Sequence, residues 1–237
     1  MAKNPNRFLV KVSGEALTGK QGYGIDSAVL SQIAGDIANA AKARQIAVVV
    51  GGGNIFRGLQ GASNGVERNT GDSMGRLATV INALALADAI RAAGKSAVAL
   101  SADPMPSLCA TYYQRDADAH LTAGTVVVLG GGTGQPFFTT DSGAALRAAE
   151  LDCVAVLKAT NVDGVYTADP KKHPTASRYD RLTHDEAIAK DLRVMDTAAF
   201  ALARENGLSI IVFSIHKENA ISNVLDGKGK ATHVVPG

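Results

Sequence analysis

The sequence predicts an α/β fold, doubly wound or three-layered, around a mainly parallel β-sheet. Short runs of apolar and β-branched residues recur along the chain, at residues 8–12, 46–50, 96–100, 125–129, 153–157, 209–213 and 232–235. They do not alternate with polar residues, which is typical of strands that helices bury on both faces. Segments with helical spacing lie between them, and this alternation indicates layered α/β architecture.

Two of the helical segments carry clear apolar stripes. Residues 27–44 repeat apolar side chains every three or four positions, and Asp26 or Ser27 is expected to cap this helix. Residues 72–93 carry a second stripe, long enough for a core or for a dimer face, and core is the expected use. Its members are Met74, Leu77, Ala78, Ile81, Leu84 and Ala85.

The C-terminal third contains one segment that breaks the rhythm. Residues 162–182 hold two prolines and several turn formers, which indicates a hairpin or an excursion where a ligand-covering loop would lie. After it, Thr183 with Glu186 matches a capping box, and Asp196 is expected to cap a helix through residue 206.

Composition narrows the class of partner. The 237 residues carry a formal net charge of +2 with the basic residues scattered, so neither nucleic acid nor a membrane surface is indicated. The longest apolar runs are far shorter than the roughly 20 residues that span a bilayer, and residues 1–7 lack a signal-peptide core. We expect a cytoplasmic protein with a small diffusing partner. Cys109 and Cys153 are expected to be buried free thiols.

Glycine-rich turns follow three of the predicted strands, at residues 13–14, 51–54 and 130–134. In parallel α/β sheets, ligands bind beyond the carboxyl ends of the strands. Because glycine lets backbone N–H groups approach a ligand closely, three such turns at one sheet edge predict a polyphosphate site. No G-x-G-x-x-G follows a strand. Residues 14–21 (GEALTGKQ) nearly spell a Walker A sequence, but Gln21 stands where Ser or Thr should bind Mg²⁺, so we interpret the match as coincidence.

Charged residues accompany these turns. Lys11 lies inside the first apolar strand, where an ammonium group is costly unless it meets an anion. Arg57 follows the second glycine turn, and Lys158 follows the fifth strand. Asp141 is expected to cap the helix through residue 150, to align the lysines, or to do both. Phosphoryl transfer depends largely on such positioning and charge neutralisation.

These residues, in this order, resemble the amino acid kinase superfamily, and within it the bacterial uridylate kinase family, along essentially the whole chain. The Lys-x-Ser-Gly start and the triple glycine are shared across the superfamily, whereas GDSMG and GTGQPFFTTD carry the resemblance to the uridylate kinases. The matching stretches are residues 11–17 (KVSGEAL), 51–58 (GGGNIFRG), 71–79 (GDSMGRLAT), 132–141 (GTGQPFFTTD), 157–170 (LKATNVDGVYTADP) and 194–200 (VMDTAAF).

The resemblance implies a three-layer αβα sandwich, as one amino acid kinase domain over residues 1–237. Its acceptor-side lobe would lie mainly in the N-terminal half and its ATP-side lobe mainly from about residue 150 onward. It also implies transfer of the γ-phosphoryl group of ATP to UMP. The ATP-binding residues would be Lys11, Val12, Ser13, Gly14, Gly53, Arg57, Thr160, Asn161, Tyr166 and Asp169. The UMP-binding residues would be Gly52, Asp72, Thr133, Gly134, Gln135, Pro136, Phe137, Phe138, Thr139 and Thr140.

The catalytic residues implied by the resemblance are Lys11, Arg57, Asp141 and Lys158, with Asp196 as a supporting residue behind them. Asp72 would accept hydrogen bonds from both ribose hydroxyls. No general base is needed, because the acceptor phosphate is already ionised at neutral pH. Mg²⁺ would be held mainly by the ATP phosphates, with no protein metal site. The family's assembly predicts a homohexamer, and the stripe from Met74 to Ala85 is a candidate contact between its subunits.

Regulation is a further expectation from the family, with GTP as an activator and UTP as an inhibitor. The segment that aligns with the GTP-responsive region consists of Gly19, Lys20, Gln21, Gly22, Tyr23 and Gly24.

Two alternatives remain open on the sequence. Another superfamily member would phosphorylate the carboxylate of acetylglutamate, glutamate or aspartate, and such an acceptor would not need Asp72 as a diol clamp. A non-enzymatic molybdenum or tungsten storage protein shares the fold and the glycine pattern. The combination of Lys11, Asp141 and Lys158 argues against storage.

Overall fold

The computed structural model describes residues 3–56, 65–170, 172–192 and 195–237. Within these ranges, nine strands form one sheet in the order β4-β3-β5-β2-β1-β6-β8-β9-β7. Neighbours are parallel except for β8 and β9, which are antiparallel. The strands are β1 Asn4–Val12, β2 Gln45–Val50, β3 Ala97–Ser101, β4 Ala110–Thr111, β5 Val126–Gly130, β6 Cys153–Thr160, β7 Arg181–Thr183, β8 Ser209–Ser214 and β9 Ala231–Val235.

Helices cover both faces of this sheet. They are α1 Ser27–Ala40, α2 Arg68–Ala92, α3 Gln114–Thr122, α4 Thr140–Glu150, α5 His184–Ala189, α6 Thr197–Glu205 and α7 Ala220–Leu225. Successive strand residues point to opposite faces, so Val10 joins a core with α1, α2 and α7, whereas Leu9 joins a core with α3 to α6. The three-layer prediction is therefore confirmed.

The expected strands are all present, and two more exist that were not predicted. β4 and β7 span two and three residues, too short for an apolar pattern to develop. β6 runs on to Thr160, so Lys158 lies within a strand rather than after it. The excursion at residues 162–182 contains an antiparallel bridge between Tyr166 and Arg178, and its last residues begin β7.

The helix caps largely follow the sequence. Asp26 caps α1 by accepting hydrogen bonds from the N–H groups of Ala28 and Val29, and α1 ends at Ala40, short of residue 44. Thr183 and Glu186 form the predicted capping box. Asp196 caps α6 through the N–H of Ala199.

Helix α2 corrects the expected use of its stripe. Met74, Leu77 and Ile81 are 40–50% exposed, and only Ala78 of the predicted set is buried. The face that packs on β3 and β5 is instead offset around the helix, and it consists of Ala78, Asn82, Ala83, Leu86, Ala87 and Ile90. An apolar stripe of Met74, Leu77 and Ile81 is thus left on the surface.

By length and composition alone, α2 could cross a membrane, but its buried face belongs to the core of the sheet.

Both cysteine thiols are free, as expected. Cys153 is buried, but Cys109 is only half-buried, so the expectation of a buried thiol is wrong for Cys109.

Candidate active site

The glycine turns meet at one edge of the sheet because β5, β2, β1 and β6 are neighbours there. All four strands are parallel, so their carboxyl ends point the same way. The first two turns touch. A Cβ added to Gly14 would lie 2.7 Å from both the Gly51 carbonyl oxygen and the Gly53 nitrogen. Only glycine permits this approach of two main chains.

A buried pair of asparagines fixes the second glycine turn. The amides of Asn54 and Asn82 bond each other reciprocally, at 3.1 and 2.7 Å, and Asn82 also donates to the Gly51 carbonyl at 2.7 Å. Asn82 is fully buried in α2, so its polar atoms need these partners. Neither role was predicted from the sequence, although a lone asparagine within an apolar helix could have indicated Asn82.

The asparagine pair also reaches the segment expected to respond to GTP. Asn54 donates to the Gly24 carbonyl at 2.8 Å, and the Gly24 N–H donates to the Asn54 carbonyl at 2.8 Å. Residues 14–21 form two short 3₁₀ turns, Gly14–Leu17 and Gly19–Gln21, rather than the helix that a Walker A motif requires. Tyr23 is exposed.

Two lysines stand side by side at the centre of the edge. The register of β1 and β6 pairs Lys11 with Lys158, and the carboxylate of Asp141 lies between their ammonium groups. Lys11 Nζ lies 2.8 Å from Asp141 Oδ1, and Lys158 Nζ lies 2.7 Å from Oδ2. The three side chains are 11–15% exposed. Two cations and one anion leave a net positive charge that suits phosphate oxygens.

Burial and charge oppose each other in this cluster. Burial alone would raise the pKa of Asp141, but the ammonium groups of Lys11 and Lys158 outweigh it, so the pKa lies below its ordinary value. Burial lowers the pKa of Lys158, and Asp141 only partly offsets it. Asp141 therefore stays ionised and holds both lysines in place.

The N-cap of α4 is Thr139, which corrects the expectation that Asp141 caps this helix. The Thr139 hydroxyl accepts hydrogen bonds from the N–H groups of Asp141 and Ser142, and it donates to Asp196. Ser142 also donates to Asp196, at 3.0 Å. Asp141 sits in the first helical turn instead, which frees its carboxylate for the lysines. Asp196 thus contacts the first residues of α4 through Thr139 and Ser142.

A cavity of about 260 Å³ opens on one side of the cluster, and much of the expected acceptor set lines it. Its lining from that set is Gly52, Asp72, Thr133, Gln135, Phe138, Thr139 and Thr140, together with Gly53 and Arg76. Gly134, Pro136 and Phe137 belong to the same loop without lining the cavity. Arg76 was not singled out from the sequence, although it lies in the GDSMGRLAT stretch.

Asp72 pins the loop at the mouth of this cavity. Its Oδ2 accepts hydrogen bonds from the Phe137 N–H at 2.8 Å and from Arg68 Nε at 2.9 Å. Phe137 has a φ of 69°, a left-handed conformation that costs a non-glycine residue about 1 kcal/mol. The bond to Asp72 and the Arg68 guanidinium, 5.4 Å from the Phe137 ring centroid, stabilise it there.

A larger cavity of about 580 Å³ opens on the other side, between the end of β6 and the excursion. Lys158, Thr160, Tyr166 and Asp169 line it. Asn161 does not line it, and its side chain instead bonds His216 at 2.9 Å. Of the remaining expected ATP residues, Val12 ends β1 and Ser13 follows it, whereas Arg57 lies outside the described residues.

The side chains of the site were compared with the ligands that a protein-bound metal ion requires. Among the described residues, no group of three or more His, Cys, Asp or Glu side chains is placed to bind one. Asp141 is the carboxylate at the centre of the edge, and two ammonium groups already neutralise it. A protein-held metal does not fit here.

Known proteins share both the sequence pattern and the architecture of this chain. The model of the amino acid kinase family aligns with residues 6–214, most of the chain. The chain therefore belongs to the amino acid kinase family, and uridylate kinases are among its relatives. A uridylate kinase of Azorhizobium caulinodans is 58% identical over 231 residues, covering 97% of each chain.

Solved structures give the same result. UMP kinase from Ureaplasma parvum superposes with a TM-score of 0.94 at 38% identity, covering 98% of this chain and 99% of that one. UMP kinase from Bacillus anthracis superposes with a TM-score of 0.93 at 34% identity, covering 98% and 97%.

Gly14→Ala tests the contact between the two glycine turns. The new Cβ would meet main chain at 2.7 Å, so we expect the Tm to fall by roughly 3–10 °C, because overpacking costs about 1–3 kcal/mol. Gly35→Ala in α1 is the matched control, since an added Cβ there meets nothing within 4 Å. Calorimetry measures both, and equal melting temperatures for the two variants would contradict the contact.

Asp141→Asn tests the charge cluster through pH. The folded pKa of Asp141 lies below the ordinary 3.8, so its stabilisation is present above pH 3.8 and is lost as pH falls through the folded pKa. We expect the variant to be about 3 kcal/mol less stable at pH 7, and the difference to shrink below pH 3.8. Urea midpoints at each pH measure it. The control is Asp226→Asn, in an exposed pair with Arg44, where the loss should stay below about 1 kcal/mol.

Proposed function

We propose that this protein is a UMP kinase that transfers the γ-phosphoryl group of ATP to UMP, giving ADP and UDP for pyrimidine nucleotide synthesis. The observation that carries the proposal is the lysine–aspartate–lysine cluster between two cavities. Lys158 lines the larger cavity, and Thr140, next to Asp141, lines the smaller one. Two nucleotides seated in these cavities would bring their phosphates together at the cluster.

The larger cavity is assigned to ATP. Its volume of about 580 Å³ lies in the range of small-molecule sites, and the excursion supplies a wall for the adenosine through Tyr166 and Asp169. The backbone N–H groups of the 13–14 turn and of Gly53 would bind the phosphates. Asn161 would contribute after exchanging its bond to His216. Arg57 stays a predicted phosphate contact.

The smaller cavity is assigned to UMP. Gly52 and the N-terminus of α4 at Thr140 would receive the phosphate, because the helix dipole places partial positive charge at this end. Asp72 would accept hydrogen bonds from the ribose hydroxyls, using the carboxylate lone pairs that its bonds to Phe137 and Arg68 leave available. The loop at residues 133–138 would enclose the uracil.

Catalysis would then be electrostatic. The ammonium groups of Lys11 and Lys158 would donate hydrogen bonds to the oxygens of the group in transfer, where charge develops. Asp141 contributes by fixing both groups, and the already ionised UMP phosphate attacks without a general base. Mg²⁺ would arrive on the ATP phosphates, since the cluster offers it no ligand set.

An acceptor panel tests this function. Steady-state rates with ATP are measured for UMP, CMP, acetylglutamate, glutamate and aspartate. We expect turnover with UMP far above every other acceptor. Turnover of a carboxylate without UMP would assign the chain to another branch of the family, and no ATP-dependent turnover of any acceptor would favour storage.

Asp72→Ala tests the ribose clamp. Two charge-assisted hydrogen bonds to the ribose would be lost, so we expect the KM for UMP to rise by roughly 10- to 100-fold with the KM for ATP nearly unchanged. The matched control is Asp88→Ala, an exposed carboxylate in the same helix that pairs with an arginine three positions away. Equal rises in both KM values for Asp72→Ala would remove the assignment.

The exposed stripe on α2 is proposed as a subunit contact of a homohexamer. Met74, Leu77 and Ile81 lie next to the residues that line the acceptor cavity, so assembly would also stabilise α2 there.

We further propose that GTP activates the enzyme through residues 19–24 and that UTP inhibits it. We also propose a cytoplasmic location and a single domain over residues 1–237.

Leu77→Glu with Ile81→Glu tests the stripe. Both side chains are 50% exposed in the single chain, and charges there would be buried in a subunit contact. We expect the assembly to dissociate into smaller species by light scattering after gel filtration. Ile188→Glu is the control, an isoleucine 49% exposed on α5, and it should leave the mass unchanged. An unchanged mass for the double variant would place the contact elsewhere.

A further inference from the structure

Arg147 is a buried arginine that lies outside the lysine–aspartate–lysine cluster. It belongs to the last turn of helix α4, and it is only 7% exposed. A charge buried to this extent needs partners, because leaving it without them would be costly. The partners of this side chain therefore indicate its role.

Two side chains orient the Arg147 guanidinium. Its Nη1 donates to Glu150 Oε2 at 2.7 Å, and its central carbon lies 4.0 Å from the centroid of the Tyr112 ring. The Tyr112 hydroxyl donates to the same Glu150 oxygen at 2.8 Å. Burial raises the pKa of Tyr112, and the bond to Glu150 raises it further, so the hydroxyl keeps its proton. The ring and the carboxylate together fix the plane of the guanidinium.

The other terminal nitrogen of Arg147 bonds the main chain of the glycine loop, residues 131–134. Its Nη2 donates to the Gly132 carbonyl oxygen at 3.3 Å. Gly132 and Thr133 both line the acceptor cavity. Helix α4 also packs closely here, since a Cβ added to Gly143 would lie 3.4 Å from the Gly132 Cα. Arg147 thus connects the end of α4 to the wall of the acceptor cavity.

The glycine loop needs support because of its backbone conformation. Gly131, Gly132 and Gly134 have left-handed φ values of 78°, 58° and 81°. Glycine reaches this region readily, but it loses more conformational freedom than any other residue when it is fixed. On the α2 side, the Thr79 hydroxyl accepts a hydrogen bond from the Gly131 N–H at 2.7 Å. On the α4 side, Arg147 bonds the next residue, so two helices hold the loop.

Resting on the proposed function, we propose that Arg147 is a positioning residue for the phosphate acceptor, which holds the glycine loop in the shape that binds UMP. Arg147 is not among the described residues that line the acceptor cavity, so it acts through the Gly132 carbonyl. A loop that is fixed before the ligand arrives lowers the ordering cost of binding. Of the described residues that line the larger cavity, none belongs to the glycine loop, so ATP binding should not depend on Arg147.

Arg147→Met tests the proposal, because methionine keeps an unbranched stem and removes every donor. We expect the KM for UMP to rise about 10-fold, the order expected for one lost charge-assisted hydrogen bond, while kcat and the KM for ATP stay nearly unchanged. Steady-state kinetics give these constants, and calorimetric titration with UMP gives the Kd without turnover. An unchanged KM for UMP would overturn the proposal, and so would equal rises in the KM values for UMP and ATP.

Glu150→Gln is the matched control for stability. Glutamine keeps an acceptor oxygen for Arg147 and Tyr112 but loses the charge, so the Tm should fall while the guanidinium stays in place. We expect its KM for UMP to equal that of the wild type. A rise as large as that of Arg147→Met would contradict the proposal, because lost stability rather than the contact with Gly132 would then be the cause.

Arg147→Lys decides the question if Arg147→Met does not fold. Lysine retains a charge for Glu150, but a single ammonium group lacks the planar fork that bonds Glu150 and Gly132 at once. We expect this variant to fold and its KM for UMP still to rise, and a wild-type KM would refute the positioning role. A wild type without UMP turnover would refute the proposed function itself, whereas an active wild type with unchanged KM values in the variants would refute only the role of Arg147.

Discussion

The pairing of Lys11 with Lys158 is the constraint on which the rest of the site depends. Two ammonium groups on directly paired residues of neighbouring strands repel each other, and here both are nearly buried. The sheet tolerates them because Asp141 enters from α4 and contacts both. Helix α4 must therefore begin close to the sheet edge, and Thr139 with Asp196 fixes where it begins.

The same edge is rigid in its uncharged parts. The turns at residues 13–14 and 51–54 touch through main chain, and the asparagine pair bonds the second turn to α2. A buried polar pair of this kind is stable only when each donor and acceptor is used, and Asn54 and Asn82 use each other as well as Gly24 and Gly51. Backbone N–H groups held this way need little rearrangement to bind phosphates, which is the condition for electrostatic catalysis.

Much of this was predictable from the sequence, for definable reasons. Unbroken apolar runs predict strands buried on both faces, and glycine after such a run predicts a ligand edge, so the positions of Lys11 and the three turns followed. The orientation of a helix did not follow. Met74, Leu77 and Ile81 are apolar and regularly spaced, yet they face outward, because the helix presents Ala78, Asn82 and Leu86 to the sheet. Which of two stripes is buried depends on neighbours distant in the chain. Asp141 does not cap α4 as expected, because Thr139, two residues earlier, is an equally good N-cap and takes that position.

The contact between the glycine turns has a consequence for how such a protein can change over time. A collision between two side chains can be relieved by a second substitution that makes one of them smaller. At Gly14 the opposing atoms include the carbonyl oxygen of Gly51 and the nitrogen of Gly53, which every amino acid possesses. No change of residue type on the opposite turn can make room. Single substitutions therefore cannot make another residue type fit at Gly14. Only a movement of β1 relative to β2 would do so, and that movement would also disturb the pairing of Lys11 with Lys158.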